Sequence, residues 1–103
     1  MAEKVAPVVN GIFYDRAKLM IMVHLIHTTE ALSFLELLQA TQLTKGNLSS
    51  HLKKLEAEKL LKIKKEFVEK KPRTSIEITS KGRNALKEHL DEMQSLIKLA
   101  KNQ

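Results

Sequence analysis

The spacing of apolar residues changes period in the middle of this chain, and that change restricts the fold more than any other feature. Leu48, Leu52 and Leu55 step by i, i+4, i+7, which is one stripe of an α-helix. Leu61, Ile63, Lys65 and Phe67 then alternate with Lys62, Lys64 and Glu66 at the period of two that a strand requires, and Thr74, Ile76 and Ile78 alternate likewise. Between the two strands the chain runs Glu69-Lys70-Lys71-Pro72-Arg73, expected as a hairpin connection with Pro72 at its rim, because proline has no N–H to give to a ladder.

The flanking segments read as helices. Asp15 is expected to cap a first helix over about residues 16–28, in which Leu19 to Ile26 is apolar on almost every side and only His24 interrupts. Such a helix belongs at the centre of a core or in a subunit interface. Ser33 and Glu36 have the form of a capping box for a short second helix ending near Thr41. Thr44 caps a third helix of about residues 45–58, and Thr79 a last one of about 80–101. In that last helix Leu86, Leu90, Met93, Ile97 and Ala100 step by 4, 3, 4, 3, a coiled-coil seam of two heptads. Residues 1–14 are broken by Pro7 and Asn10-Gly11, yet Val8, Val9, Ile12, Phe13 and Tyr14 are too apolar for a free tail. The expected fold is mainly α with a small β-hairpin (α+β), a winged helix-turn-helix with a long C-terminal helix. It divides into an arm (1–14), the winged helix-turn-helix (15–79) and a C-terminal helix for dimerisation (80–103), with Phe13, Leu86, Leu90, Met93 and Ile97 as dimer contacts.

The formal net charge is +6, and all of it lies between Leu43 and Arg73, where ten Lys/Arg face four Glu. A positive field focused on one structural unit suits a polyphosphate partner. Opposite its apolar stripe the third helix presents Gly46, Ser50 and Lys53, flanked by Ser49, Asn47 and Lys54, with Thr44 and Lys45 at its start. Short side chains at Ser49 and Ser50 let a helix backbone approach a duplex, while Asn47, His51 and Lys53 can donate to base edges or phosphates. His51 either contacts a phosphate or packs and orients its neighbours. Gly46 costs the helix up to ~1 kcal/mol relative to Ala; it either permits close approach or marks a loose first turn. Lys70, Lys71 and Arg73 can lie along phosphates, or Arg73 can enter a minor groove; the bland alternative is a solvated lysine-rich hairpin.

Other chemistry finds little support. There is no Cys, so disulfides and thiolate metal sites are excluded. His89 and Asp91 point to different sides of a helix, and His24 and His27 lack a nearby carboxylate, so no metal site is expected. No glycine-rich phosphate loop and no nucleophile with its base is present, so neither catalysis nor a cofactor is expected. Met20 and Met22 read as core. Without a signal peptide or a membrane-spanning run, a cytoplasmic location is expected, on the chromosome when bound. No residue demands a small-molecule effector.

The run LTKGNLSSHLKKLEAEKLLKIKKEF followed by KPRTSIEITSKGRNAL resembles the winged-helix DNA-binding domains of small MarR-like and ArsR-like transcriptional regulators. The resemblance covers about residues 8–90, including Asp15-Arg16-Ala17-Lys18-Leu19. Gly46-Asn47-Leu48-Ser49 and Thr79-Ser80-Lys81-Gly82-Arg83 are its more specific elements. The chain departs from the family at Lys59, where such proteins usually carry Gly after the recognition helix. The resemblance implies a sequence-specific, double-stranded-DNA-binding transcriptional regulator, with the third helix in the major groove and the wing, residues 69–73, on the backbone or minor groove. The apolar first helix, the arm and the 4-3 seam imply a homodimer. A winged-helix adaptor within a larger complex and a non-specific chromosomal protein are the alternatives.

Overall fold

The computed structural model describes residues 15–102, in the order α1 (Arg16–His27), β1 (Leu32–Ser33), α2 (Phe34–Thr41), α3 (Lys45–Ala57), β2 (Leu61–Val68), β3 (Lys71–Ile78) and α4 (Ser80–Lys101). The expected N-terminal arm, with Phe13, lies outside the described residues, as does Gln103.

Side-chain caps set the helix starts. The Asp15 carboxylate accepts from the Ala17 N–H at 2.9 Å and the Lys18 N–H at 3.3 Å, Thr44 Oγ1 from the Asn47 N–H at 3.1 Å, and Thr79 Oγ1 from the Gly82 N–H at 2.9 Å. The capping box closes in both directions: the Glu36 N–H donates to Ser33 Oγ at 3.0 Å and the Ser33 N–H to Glu36 Oε1 at 2.8 Å. Asp15 also meets Nζ of the buried Lys18 at 3.2 Å. Burial alone would push the Asp15 carboxyl up, but the hydrogen bonds from the Lys18 side chain and from the Lys18 and Ala17 N–H groups hold it below its ordinary value.

The apolar stripes close on one another. Ile21, Met22 and Leu25 of α1 and Leu48, Leu52 and Leu55 of α3 pack with Leu37, Leu61, Ile76 and Leu86. α1 therefore lies within the core, touching α2, α3, α4 and β3. Leu86 is fully buried in this core, so it leaves the dimer seam to which its spacing assigns it. A core stripe and a partner-facing seam share the same 4-3 steps, and only the tertiary packing separates them.

β3 is the central strand of an antiparallel sheet of order β1-β3-β2. β1 adds Leu32 opposite Ile76 and Ser33 opposite Ser75. Two residues are too few for alternation to reveal, and the sequence pattern shows only the other two strands. The hairpin also differs from expectation. Pairing runs on through Phe67 with Pro72 to Val68 with Lys71, leaving Glu69 and Lys70 alone as the turn, at φ 52° and 68°. Two consecutive residues at positive φ make this a type I′ turn, whose twist matches that of the strands. The connection is thus Glu69-Lys70 rather than Glu69 to Arg73, and Lys71, Pro72 and Arg73 belong to β3. Pro72 sits one pair from the turn, where antiparallel geometry leaves the residue's N–H out of the ladder.

α3 ends in a Schellman motif. The Lys59 N–H donates to Glu56 O at 2.8 Å and the Leu60 N–H to Leu55 O at 3.0 Å, with Lys59 at φ 63°. The absence of glycine here leaves the helix end unchanged; Lys59 takes the left-handed conformation despite its Cβ. Lys59→Gly is expected to raise the unfolding free energy by about 1 kcal/mol, seen as a higher urea midpoint at constant m-value. An unmoved midpoint would mean that this cap holds no strain.

The start of α4 grips the same turn. The Thr79 N–H donates to Leu60 O at 3.1 Å, Thr79 Oγ1 to Lys59 O at 2.7 Å and Lys81 Nζ to Glu58 O at 3.1 Å. Gly82 lies directly against the Leu60 carbonyl: a Cβ there would overlap the oxygen and stand 2.8 Å from the carbonyl carbon. Because this turn joins α3 to β2, its anchoring fixes how α3 sits relative to the hairpin. Beyond Leu90, α4 runs past the body, and the described chain measures 58 × 24 × 23 Å.

Candidate nucleic-acid interface

α3 turns its polar side outwards because Leu48, Leu52 and Leu55 take the other stripe inwards. Thr44, Lys45, Gly46, Asn47, Ser50, Lys53 and Lys54 are exposed, while Ser49 and His51 are half-buried. No atom of the described residues lies within 4 Å of the place a Gly46 Cβ would take, so none of their packing requires glycine there. His51 Nδ1 is shut off from solvent and has no hydrogen-bond partner among the described residues, so part of the ring is turned against the body.

Between α3 and the hairpin lies an open groove of about 610 Å³. Ser49, Lys53 and Glu56 line one wall and Lys65 and Thr74 the other, with Phe34, Leu52 and Ile63 completing it. An oxyanion entering this groove meets two ammonium groups and two hydroxyls against one carboxylate, which suits a phosphate of a nucleic-acid backbone. Lys65 and Thr74 are absent from the residues selected by motif. The signal was present: Lys65 occupies an inward position of the alternation Leu61, Ile63, Lys65, Phe67, where a fully buried strand would carry an apolar side chain.

The wing residues separate. Lys70 lies in the turn and Lys71 beside it, both exposed. Arg73 is set back in β3 because the turn is short; it stands across from Glu66, and its guanidinium is 3.9 Å from the Glu36 carboxylate. The hydrogen bond from the Ser33 N–H, with a smaller contribution from the Arg73 charge, holds the Glu36 carboxyl below its ordinary value. At that distance and exposure the pair steers Arg73 without locking it.

On α4, Leu90 and Met93 are half-buried, and Leu96, Ile97 and Leu99 are exposed at 61%, 50% and 68%. Among the described residues no group of three or more His, Cys, Asp or Glu could hold a metal ion, and no helix is long and apolar enough to cross a membrane.

Known proteins are similar to this chain in sequence or in fold. An uncharacterized protein of Methanocaldococcus jannaschii is 38% identical over 78 residues, which are 76% of this chain and 82% of that one. A transcriptional regulator homologue from Pyrococcus horikoshii OT3 superposes with a TM-score of 0.80 at 31% identity, over 86% of this chain and 87% of its own. A PadR family transcriptional regulator from Eggerthella lenta shares the fold with a TM-score of 0.70 at 19% identity, over 88% and 86% of the two chains. Residues 17–97, from α1 into the far turns of α4, match the model of the winged helix DNA-binding domain, and the chain belongs to that family.

Proposed function

We propose that this DNA-binding transcription regulator acts as a homodimer on a two-fold symmetric duplex site, occupying a promoter and excluding polymerase. α3 enters the major groove, where Asn47 and Ser50 meet base edges, while Thr44, Lys45, Ser49, Lys53 and Lys54 meet phosphates and the hairpin tip meets the neighbouring backbone or minor groove. The observation that carries this reading is the bare outer side of α3. It is small, polar and cationic, and it holds a glycine whose helix cost no contact among the described residues offsets.

The second copy is supported by the apolar end of α4. Met93, Leu96, Ile97 and Leu99 extend past the core and are the natural seam once Leu86 is assigned to the protomer. Two-fold pairing would bring two α3 helices to successive major grooves ~34–36 Å apart.

Selection of bound duplexes from a random pool, followed by footprinting and sedimentation, tests the proposal. A symmetric motif with half-sites one turn apart and a dimeric mass are expected. In the same assay Gly46→Ala should bind the selected duplex more weakly while raising stability by up to ~1 kcal/mol, and Asn47→Ala should change the preferred bases. A monomer that binds all duplexes alike, or a stabilised Gly46→Ala that binds as well as wild type, would overturn it.

A further inference from the structure

Phe67 is exposed at 76%, more than any other large apolar side chain among the described residues, and nothing in the scheme above uses it. Register fixes its place. It pairs with Pro72, one pair before Val68 and Lys71 close the turn. Alternation puts it on the hairpin side that bears Ile63 and Lys65, the side that walls the groove opposite α3. Glu66 and Glu77, the carboxylates of the two strands, fall on the opposite side. The stretch from the groove to the tip therefore presents Lys65, Thr74, Phe67 and Pro72 in succession, with Lys70 beyond, and no acidic strand residue on that side.

We propose that Phe67, backed by Pro72, is the wing's apolar contact with DNA, packing on deoxyribose at the edge of the minor groove between phosphates met by Lys65 and Lys70. This rests on the DNA-binding reading above. Sugars are the apolar part of the nucleic-acid backbone, so a ring with a lysine on either side reaches them when the lysines reach phosphates. A protein partner fits less well, because the centres of protein interfaces are depleted of lysine.

Anisotropy titration of the selected duplex over a range of salt concentrations tests this with wild type, Phe67→Ala, Phe67→Leu and Lys70→Ala. Loss of an apolar contact should weaken Phe67→Ala about tenfold at every salt concentration. The slope of log affinity against log salt should stay that of wild type, whereas Lys70→Ala should flatten it by ~0.9. Phe67→Leu should keep most of the affinity, and the thermal midpoint of free Phe67→Ala should not fall. If wild type binds no duplex, the DNA reading fails and this contact with it. If wild type binds and Phe67→Ala matches it within about twofold, or flattens the slope as Lys70→Ala does, only the contact proposed here fails. Loss of self-association in Phe67→Ala would assign the ring to a second copy and overturn the proposal equally.

Discussion

Gly82→Ala is expected to lower the unfolding free energy by about 2–3 kcal/mol, although the substitution ordinarily stabilises a helix by up to ~1 kcal/mol. The new Cβ would overlap the Leu60 carbonyl oxygen, which belongs to the backbone and cannot swing aside. That oxygen already accepts from the Thr79 N–H, and the two preceding carbonyls, of Lys59 and Glu58, are held by Thr79 Oγ1 and Lys81 Nζ. Relief requires the first turn of α4 to lift, which stretches these bonds and draws Leu86, one turn on, away from the core. Gly46→Ala is the internal control, since its Cβ enters open space and should stabilise. Urea denaturation of both variants reads the contrast. Two stabilised proteins would mean that α4 does not clamp the turn between α3 and β2. Folded Gly82→Ala should also bind DNA more weakly, because the same turn sets the hairpin's direction from α3.

The elements legible in the sequence are those specified locally. Asp15, Ser33, Thr44 and Thr79 each form the cap expected of them, since a cap depends only on the next three residues. The outward side of α3 was legible for a related reason: once Leu48, Leu52 and Leu55 are committed inwards, the opposite side is determined. Turn chemistry was not. Among the described residues the left-handed positions are Gln42, Lys59, Glu69 and Lys70, none a glycine, and neither Gly46 nor Gly82 has positive φ. Gly82 marks close approach rather than reversal, and a Glu69-Lys70 turn without glycine carries no turn signal, so the alternation alone suggests a connection of five residues where the structure has two. The placement of Arg73 beside Glu36 and of Lys65 opposite Lys53 depends on that turn, because register carries an error at the tip into every strand position. β1 escaped for want of length, and Leu86 because periodicity cannot say whose core a stripe enters.

That corrected register also changes which charges should matter most for binding. Lys65→Ala, Lys70→Ala and Lys71→Ala combined are expected to weaken duplex binding by about two orders of magnitude near physiological salt. Each phosphate neutralised by a lysine adds ~0.9 to the salt slope, so removing three flattens it by ~2.7 and costs roughly fivefold per contact at ~0.15 M salt. Lys65 lines the groove beside α3, Lys70 lies in the turn, and Lys71 sits at the tip on the side of the hairpin away from Lys65, so a duplex strand seated in the groove and crossing the tip would pass all three. Arg73→Ala should lose less, because its guanidinium already has the Glu36 carboxylate beside it and lies away from the tip. Phosphates carry no base identity, so affinity for selected and unrelated duplexes should fall in parallel and leave their ratio intact. Titrations of both duplexes at several salt concentrations decide it. A slope unchanged by the triple substitution would remove the hairpin from the DNA, and a collapsed ratio would mean that these lysines read bases.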